Sequence, residues 1–132
     1  MQKTFLKEAV ELSVPASRDM MLVLRLTTAG VIARASLTVD RMDDVKMAVE
    51  EACSCLIGDE DNAPSRLCLR FVQEGSELII RICGENIKAG RCISEDESCV
   101  ICCILESLVD KVEVEKDGEM VYAVVLRIAL DM

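Results

Sequence analysis

Histidine and tryptophan are absent from the 132 residues, and aromatics of any kind make up only 2% of them. Without histidine the chain cannot build a Ser-His triad, a Cys-His nucleophile or a zinc site with imidazole ligands. The scarcity of aromatics removes the stacking platforms that single-stranded nucleic acid uses. The balance of 15 Lys+Arg against 24 Asp+Glu, a net charge of −9, leaves no basic surplus to meet phosphates. No nucleic-acid partner is expected. Long apolar runs are missing as well. The run 20–24 is stopped by Arg25, whereas a membrane span needs roughly 18 such residues in succession. Residues 1–7 carry Lys3 and Lys7 but no apolar signal-peptide segment. The expectation is a cytoplasmic protein with no membrane partner.

What is present is aliphatic. Apolar residues reach 52%, which excludes intrinsic disorder, and the core must be made of Leu, Val, Ile, Met, Ala and Cys. The length suits one domain over 1–132. The eight cysteines are Cys53, Cys55, Cys68, Cys83, Cys92, Cys99, Cys102 and Cys103. Most lie inside apolar runs, where a thiol behaves as a small hydrophobe, so reduced and buried thiols are the plain reading. The sharper one is a metal or redox site. Cys99-x-x-Cys102 supplies half a ligand pattern, and Cys53-x-Cys55 is an irregular other half.

Periodicity orders the elements. Residues 8–14 alternate and read as a strand ending at Pro15. Ser17 reads as an N-cap with Asp19 in the first turn, opening a helix to about Ser36 whose apolar stripe is Met21, Leu24, Thr28, Val31, Ile32 and Ala35. Gly30 in its middle costs about 1 kcal/mol against alanine, which predicts a close packing contact there. Asp40 opens a second helix to about Ile57, burying Met42, Val45, Val49, Ala52, Cys53 and Leu56. A polar loop spans 58–64. Residues 66–73 and 77–83 form a hairpin about Gly75-Ser76. A loop follows over 84–95, and 97–110 reads as a helix apolar around most of its circumference and therefore buried. Strands over 111–116 and 120–130 close the chain about Asp117-Gly118. The order β-α-α-β-β-α-β-β describes an α+β two-layer sandwich, with a mixed, mostly antiparallel sheet and three helices on one face.

That order, together with particular residues, resembles the anti-sigma factor serine kinases of the histidine-kinase-like ATPase superfamily, the Bergerat (GHKL) fold. The resemblance is carried by Val14-Pro15-Ala16 and by Arg25-Leu26-Thr27-x-x-Gly30-Val31-x-x-Arg34. It continues through Asp44-Val45-Lys46-x-Ala48-Val49-x-Glu51-Ala52-Cys53 and the junction Leu105-Glu106-Ser107-Leu108-Val109-Asp110-Lys111-Val112. It covers nearly the whole chain. It implies the family fold, a serine-protein kinase site for MgATP, and protein partners: a sigma factor or an anti-anti-sigma-type regulator, with homodimers formed through the N-terminal half. Arg25 matches a partner-contacting arginine of the family.

The nucleotide positions depart from the family together. The family's N box is Glu-x-x-x-Asn, two side chains on one helical face. The Glu is general base for the serine that is phosphorylated, and the Asn holds Mg²⁺. Here Glu51 keeps the first place and Cys55 takes the second, and a thiol is a poor ligand for a hard cation. Ile82 stands where the family's adenine-binding Asp belongs; Gly84 is kept and Asn86 replaces a glycine. Cys99 and Ile101 replace the glycine pair that lets phosphates approach the last helix, and the acidic run Glu95-Asp96-Glu97 just before them repels a phosphate. The loop to Glu97 is shorter than the family's ATP lid, and the Gly-Thr pair of the last strand is missing. The expectation is an anti-sigma-factor-like protein that acts by protein–protein binding, needs no cofactor and leaves Glu51 idle. One alternative is a working kinase on a divergent MgATP site. A second is a cysteine-based metal or redox sensor using Cys55, Cys99, Cys102 and Cys103.

Overall fold

The computed structural model describes residues 4–58, 64–85 and 91–131, with the backbone alone at 91 and 92. Among these residues six strands and three helices follow one another. They are β1 (Val10–Pro15), α1 (Met21–Ile32), α2 (Val39–Ile57), β2 (Arg66–Glu74), β3 (Glu77–Glu85), β4 (Arg91–Cys92), α3 (Glu95–Glu106), β5 (Lys111–Asp117) and β6 (Met120–Ala129). The strands form one sheet in the order β1-β2-β3-β6, with β5 on the far edge of β6. Every pairing among the described residues is antiparallel, so the parallel component expected of a mixed sheet is not found there.

The register follows from the period-2 alternation. Leu69 of β2 faces Leu12 of β1 and Ile82 of β3, and Ile82 in turn faces Val124 of β6. Successive residues point to opposite faces. Leu67, Leu69, Phe71, Leu78, Ile80, Ile82, Val124, Leu126 and Ile128 therefore share one buried face. The hairpin turn at Gly75-Ser76 is where the sequence places it; Gly75 has φ +60°, a conformation that glycine adopts without strain.

Against that face lies α2, burying Val45, Ala48, Val49, Ala52, Cys53, Leu56 and Ile57. Its N-cap is Thr38, whose hydroxyl accepts the Arg41 N–H at 3.2 Å; Asp40 sits inside the first turn. Its C-terminus closes at Gly58, φ +54°, whose N–H donates to the Ser54 carbonyl. The Arg18 guanidinium reaches over to donate to Ser54 Oγ at 3.0 Å and the Gly58 carbonyl at 2.8 Å. A cation there meets both an orphan carbonyl and the negative end of the helix dipole.

Four expectations are corrected. The helix expected over 17–36 is shorter. Ser17 caps a 3₁₀ turn, Arg18–Met20, that feeds α1, and α1 stops at Ile32. The backbone beyond it is drawn into tertiary bonds instead: the Ser36 carbonyl accepts the Asp131 N–H at 2.7 Å. Gly30 is exposed, and a Cβ there would meet nothing within 4 Å, so it makes no close contact. Within the expected loop 84–95, β3 continues to Glu85 and β4 pairs with Val121 and Met120. A two-residue strand has no periodicity to read; its ladder is set by residues far along the chain. Finally, α3 is not a buried helix. It starts at Glu95 and ends at Glu106, and only Leu105 is buried. Cys99, Val100, Cys103 and Ile104 are exposed. It packs on the edge strand β5 and touches α2, so part of its apolar circumference has no neighbour.

An ionic latch joins three distant segments. Asp110 Oδ2 accepts Arg41 Nη2 at 2.7 Å and the Ala129 N–H at 2.7 Å. Burial alone would raise the Asp110 carboxyl, but these donors outweigh it and hold it below the usual aspartate value. A depressed pKa means stability that is present above the unfolded value and lost as pH falls through the folded one. Two outcomes are expected in urea denaturation. Asp110→Asn is less stable than the wild type at neutral pH, and the gap closes as pH drops below about 3.9, the usual aspartate value. Gly30→Ala raises the midpoint, stabilising by about 0.5–1 kcal/mol at unchanged slope.

Candidate functional site

Burial of one α2 face decides what its other face offers. Glu51 is exposed, one turn before Cys55, which is half-buried and packs against the core. The Glu51 carboxylate has no hydrogen bond or ion pair among the described residues. Its neighbour Glu50 is committed: it forms an ion pair with Arg25 of α1, tying the two helices together.

The position that the resemblance sets against the family's adenine-binding Asp differs more sharply. Ile82 is 0% exposed, packed in the sheet between Leu69 and Val124 on the helix-facing side. An isoleucine there supplies packing and no acceptor. Gly84 is half-buried at the end of β3 opposite Leu67, and Asn86 lies outside the described residues. Cys99 and Ile101 do not open α3. They lie beyond its first turn, Cys99 exposed and Ile101 packed against the core. The true opening is Ser94, whose Oγ accepts the Glu97 N–H at 3.2 Å, followed by Glu95, Asp96 and Glu97. This helix start already has its side-chain cap and three carboxylates beside its positive end, so a phosphate meets repulsion there.

The donor set does not fit Mg²⁺. Where the resemblance places the family's amide oxygen stands the Cys55 thiol, and soft sulfur is a poor ligand for a hard ion. No three of Cys55, Cys99, Cys102 and Cys103, nor any other three Cys, Asp or Glu side chains, form a metal-binding group among the described residues. Cys53 is the most deeply placed thiol among the described residues. Burial, aided by the Glu50 charge, pushes it up to about 12, which keeps it protonated and inert. Burial followed by the Glu106 charge also raises Cys102.

One feature of α1 lay outside the periodic stripe. Leu22 and Leu26 are 58% and 61% exposed. They stand one turn apart with Arg25 beside them, an apolar face with a cation on it. The signal available in the sequence was their position off the buried stripe, which a solvated helix would have filled with polar residues.

With this geometry in view, comparison with known proteins is informative. No protein-family profile matches the chain. The serine-protein kinase RsbW of Halalkalibacterium halodurans is 27% identical over 131 residues, covering 88% of this chain and 81% of that protein. RsbW of Bacillus mycoides is 38% identical over 50 residues, 38% of this chain and 31% of its own length. A solved structure of the RsbU and RsbW domains of a Mycobacterium tuberculosis protein superposes with a TM-score of 0.70 at 11% identity, over 94% of this chain and 33% of that longer one. The chain is homologous to RsbW and has the histidine-kinase-like ATPase fold that the sequence led us to expect.

The placement of Ile82 yields a direct test. Ile82→Asp, which reinstates the family residue, puts an unpaired carboxylate in the core. It is expected to cost more than about 3 kcal/mol in chemical denaturation and to bring no MgATP binding by calorimetry.

Proposed function

Taking homology to RsbW as the premise, we propose that this chain is an anti-sigma-factor-like regulator that acts by binding another protein, with its nucleotide position idle. The partner is a sigma factor or an anti-anti-sigma-type protein, and a second copy of the chain can use the same N-terminal half. The observation that carries the reading is the α1 face, where exposed Leu22 and Leu26 flank Arg25. Arg25 holds the position at which the resemblance puts a partner-contacting arginine. Large apolar groups left exposed among the described residues, set around a cation, have the composition of an interface centre. Its pairing with Glu50 presets the guanidinium before any partner arrives, which lowers the ordering cost of binding. The buried Ile82, the Cys55 thiol and the acidic, capped start of α3 support an idle nucleotide site.

The kinase reading has one observation in its favour. Glu51 is exposed and unengaged, as a general base awaiting a substrate hydroxyl must be. Phosphoryl transfer, however, depends on positioning and on the metal's charge.

Two measurements separate the readings. In a thermal-shift and calorimetric titration, millimolar MgATP is expected to produce neither shift nor heat. A site filled at 100 times its Kd would stabilise the fold by about 2.7 kcal/mol. A magnesium-dependent shift abolished by Glu51→Ala, with phosphoserine on the partner, restores the kinase. In a binding assay against the cognate sigma factor and anti-anti-sigma protein, Arg25→Glu and Leu26→Glu each weaken the complex at least tenfold, about 1.4 kcal/mol, and Glu51→Ala leaves it unchanged.

A further inference from the structure

On the sheet face turned away from the helices, β2 and β3 bring two cysteines side by side. Cys68 and Cys83 are register partners, directly opposite in an antiparallel ladder. Directly opposed residues have Cα atoms about 4.5–5.5 Å apart, inside the about 4.4–6.8 Å range that a disulfide accepts. Both are half-buried free thiols. The row they occupy runs Ser13, Cys68, Cys83, Ala123, so no bulky side chain flanks the pair across the strands. Their nearest neighbours along the strands on this face are charged: Arg66 and Arg70 beside Cys68, and Arg81 and Glu85 beside Cys83.

The two thiols are not equivalent. Cys83 lies within hydrogen-bonding reach of the Arg81 guanidinium. Arg81 is held in place by Glu115, which accepts from its Nε at 3.0 Å and its Nη2 at 2.8 Å. A fixed cation therefore stands beside the Cys83 sulfur. Cys68 lies between the Glu85 carboxylate and the Ser13 hydroxyl; its partial burial, followed by the bond to Glu85, raises its pKa. A carboxylate is thus at hand to take the Cys68 proton.

We propose that Cys68 and Cys83 form a peroxide-sensitive dithiol, an oxidation site separate from the nucleotide positions and from the α3 cysteines. The Cys83 thiolate attacks one oxygen of hydrogen peroxide. The O–O bond breaks, the departing hydroxide leaves as water on taking a proton, and Cys83 becomes a sulfenic acid. Cys68 then gives its proton to Glu85 and attacks the Cys83 sulfur. The S–S bond forms, the S–O bond breaks, and the hydroxide collects that proton and leaves as the second water. Two thiols are oxidised by two electrons, and one peroxide is reduced to two waters. The staple closes across β2–β3 at the end where β3 carries Ile82 and Gly84, so it ties the oxidation state of the outer face to the strand that reaches the candidate site. Thiol exchange with a dithiol reductant reverses it.

The reduced full-length protein, treated with stoichiometric hydrogen peroxide, alkylated and digested with trypsin without reduction, tests this. Cleavage after Arg66, Arg70, Arg81 and Lys88 separates Cys68 in 67–70 from Cys83 in 82–88. The expected result is a disulfide between these two peptides, more abundant than any other cysteine link and lost on adding dithiothreitol. In Cys68→Ser the link vanishes, and Cys83 becomes the main site of dimedone labelling. The proposal is overturned if both peptides remain alkylated while the α3 cysteines oxidise. It is equally overturned if the Cys68→Ser protein, folded by circular dichroism, shows no gain of dimedone on Cys83.

Discussion

The burial of the α2 stripe against β3 and β6 is the constraint from which the other features follow. Val45, Ala48, Val49, Ala52, Cys53 and Leu56 recur at helical spacing and are all buried. The strands beneath answer with Ile80, Ile82, Val124, Leu126 and Ile128, every second residue. At about 1.5–3 kcal/mol for each large aliphatic group removed from water, this contact outweighs the surface ion pairs, which are worth roughly 0–1 kcal/mol each. A slip of one residue in any strand would turn its apolar set outwards. Once α2 is seated, the side on which Glu51 emerges is settled, as is the face on which Ile82 disappears.

The same contact gives the sheet two chemically different sides. The helix side is aliphatic and closed. The other side carries Arg70 with Glu11, Arg81 with Glu115, and Arg127 between Glu113 at 2.5 Å and Glu77 at 2.9 Å. The Arg70 and Arg127 pairs join neighbouring strands, where cross-strand pairs of unlike sign are favourable, and Arg81 reaches Glu115 across β6. Cys68 and Cys83 belong to this polar side, although in the sequence they sit in runs as apolar as those of Cys53. The face of the element on which each thiol falls, and not local composition, separates the inert core thiol of α2 from the accessible pair on β2 and β3.

Where the sequence reading and the structure part, the cause is tertiary each time. The apolar composition of α3 predicts burial, yet a helix over an edge strand has neighbours on one side only. Val100 and Ile104 remain exposed, and the cysteines counted as hydrophobes include Cys99 and Cys103 on the same open surface. Gly30 reads as a packing glycine because its helical cost asks for a reason, and its surroundings supply none. The glycine-pair positions Cys99 and Ile101 align by sequence with a helix start, but Ser94 caps the helix earlier. Local capping chemistry sets that boundary, and an alignment of spacing does not weigh it.

From the sequence alone came the element types, the hairpin at Gly75, the apolar stripe of α2, the closing strand pair about Gly118 and the resemblance that homology to RsbW bears out. All are written in short-range periodicity or in glycine's tolerance of positive φ, which need no distant partner. Tertiary structure alone decided the pairing of Arg25 with Glu50, the grip of Arg18 on the end of α2, the Asp110 latch, the strand β4 and the meeting of Cys68 with Cys83. Each joins residues far apart in the chain. Their contact depends on register and packing angle, and no local pattern in the sequence encodes either.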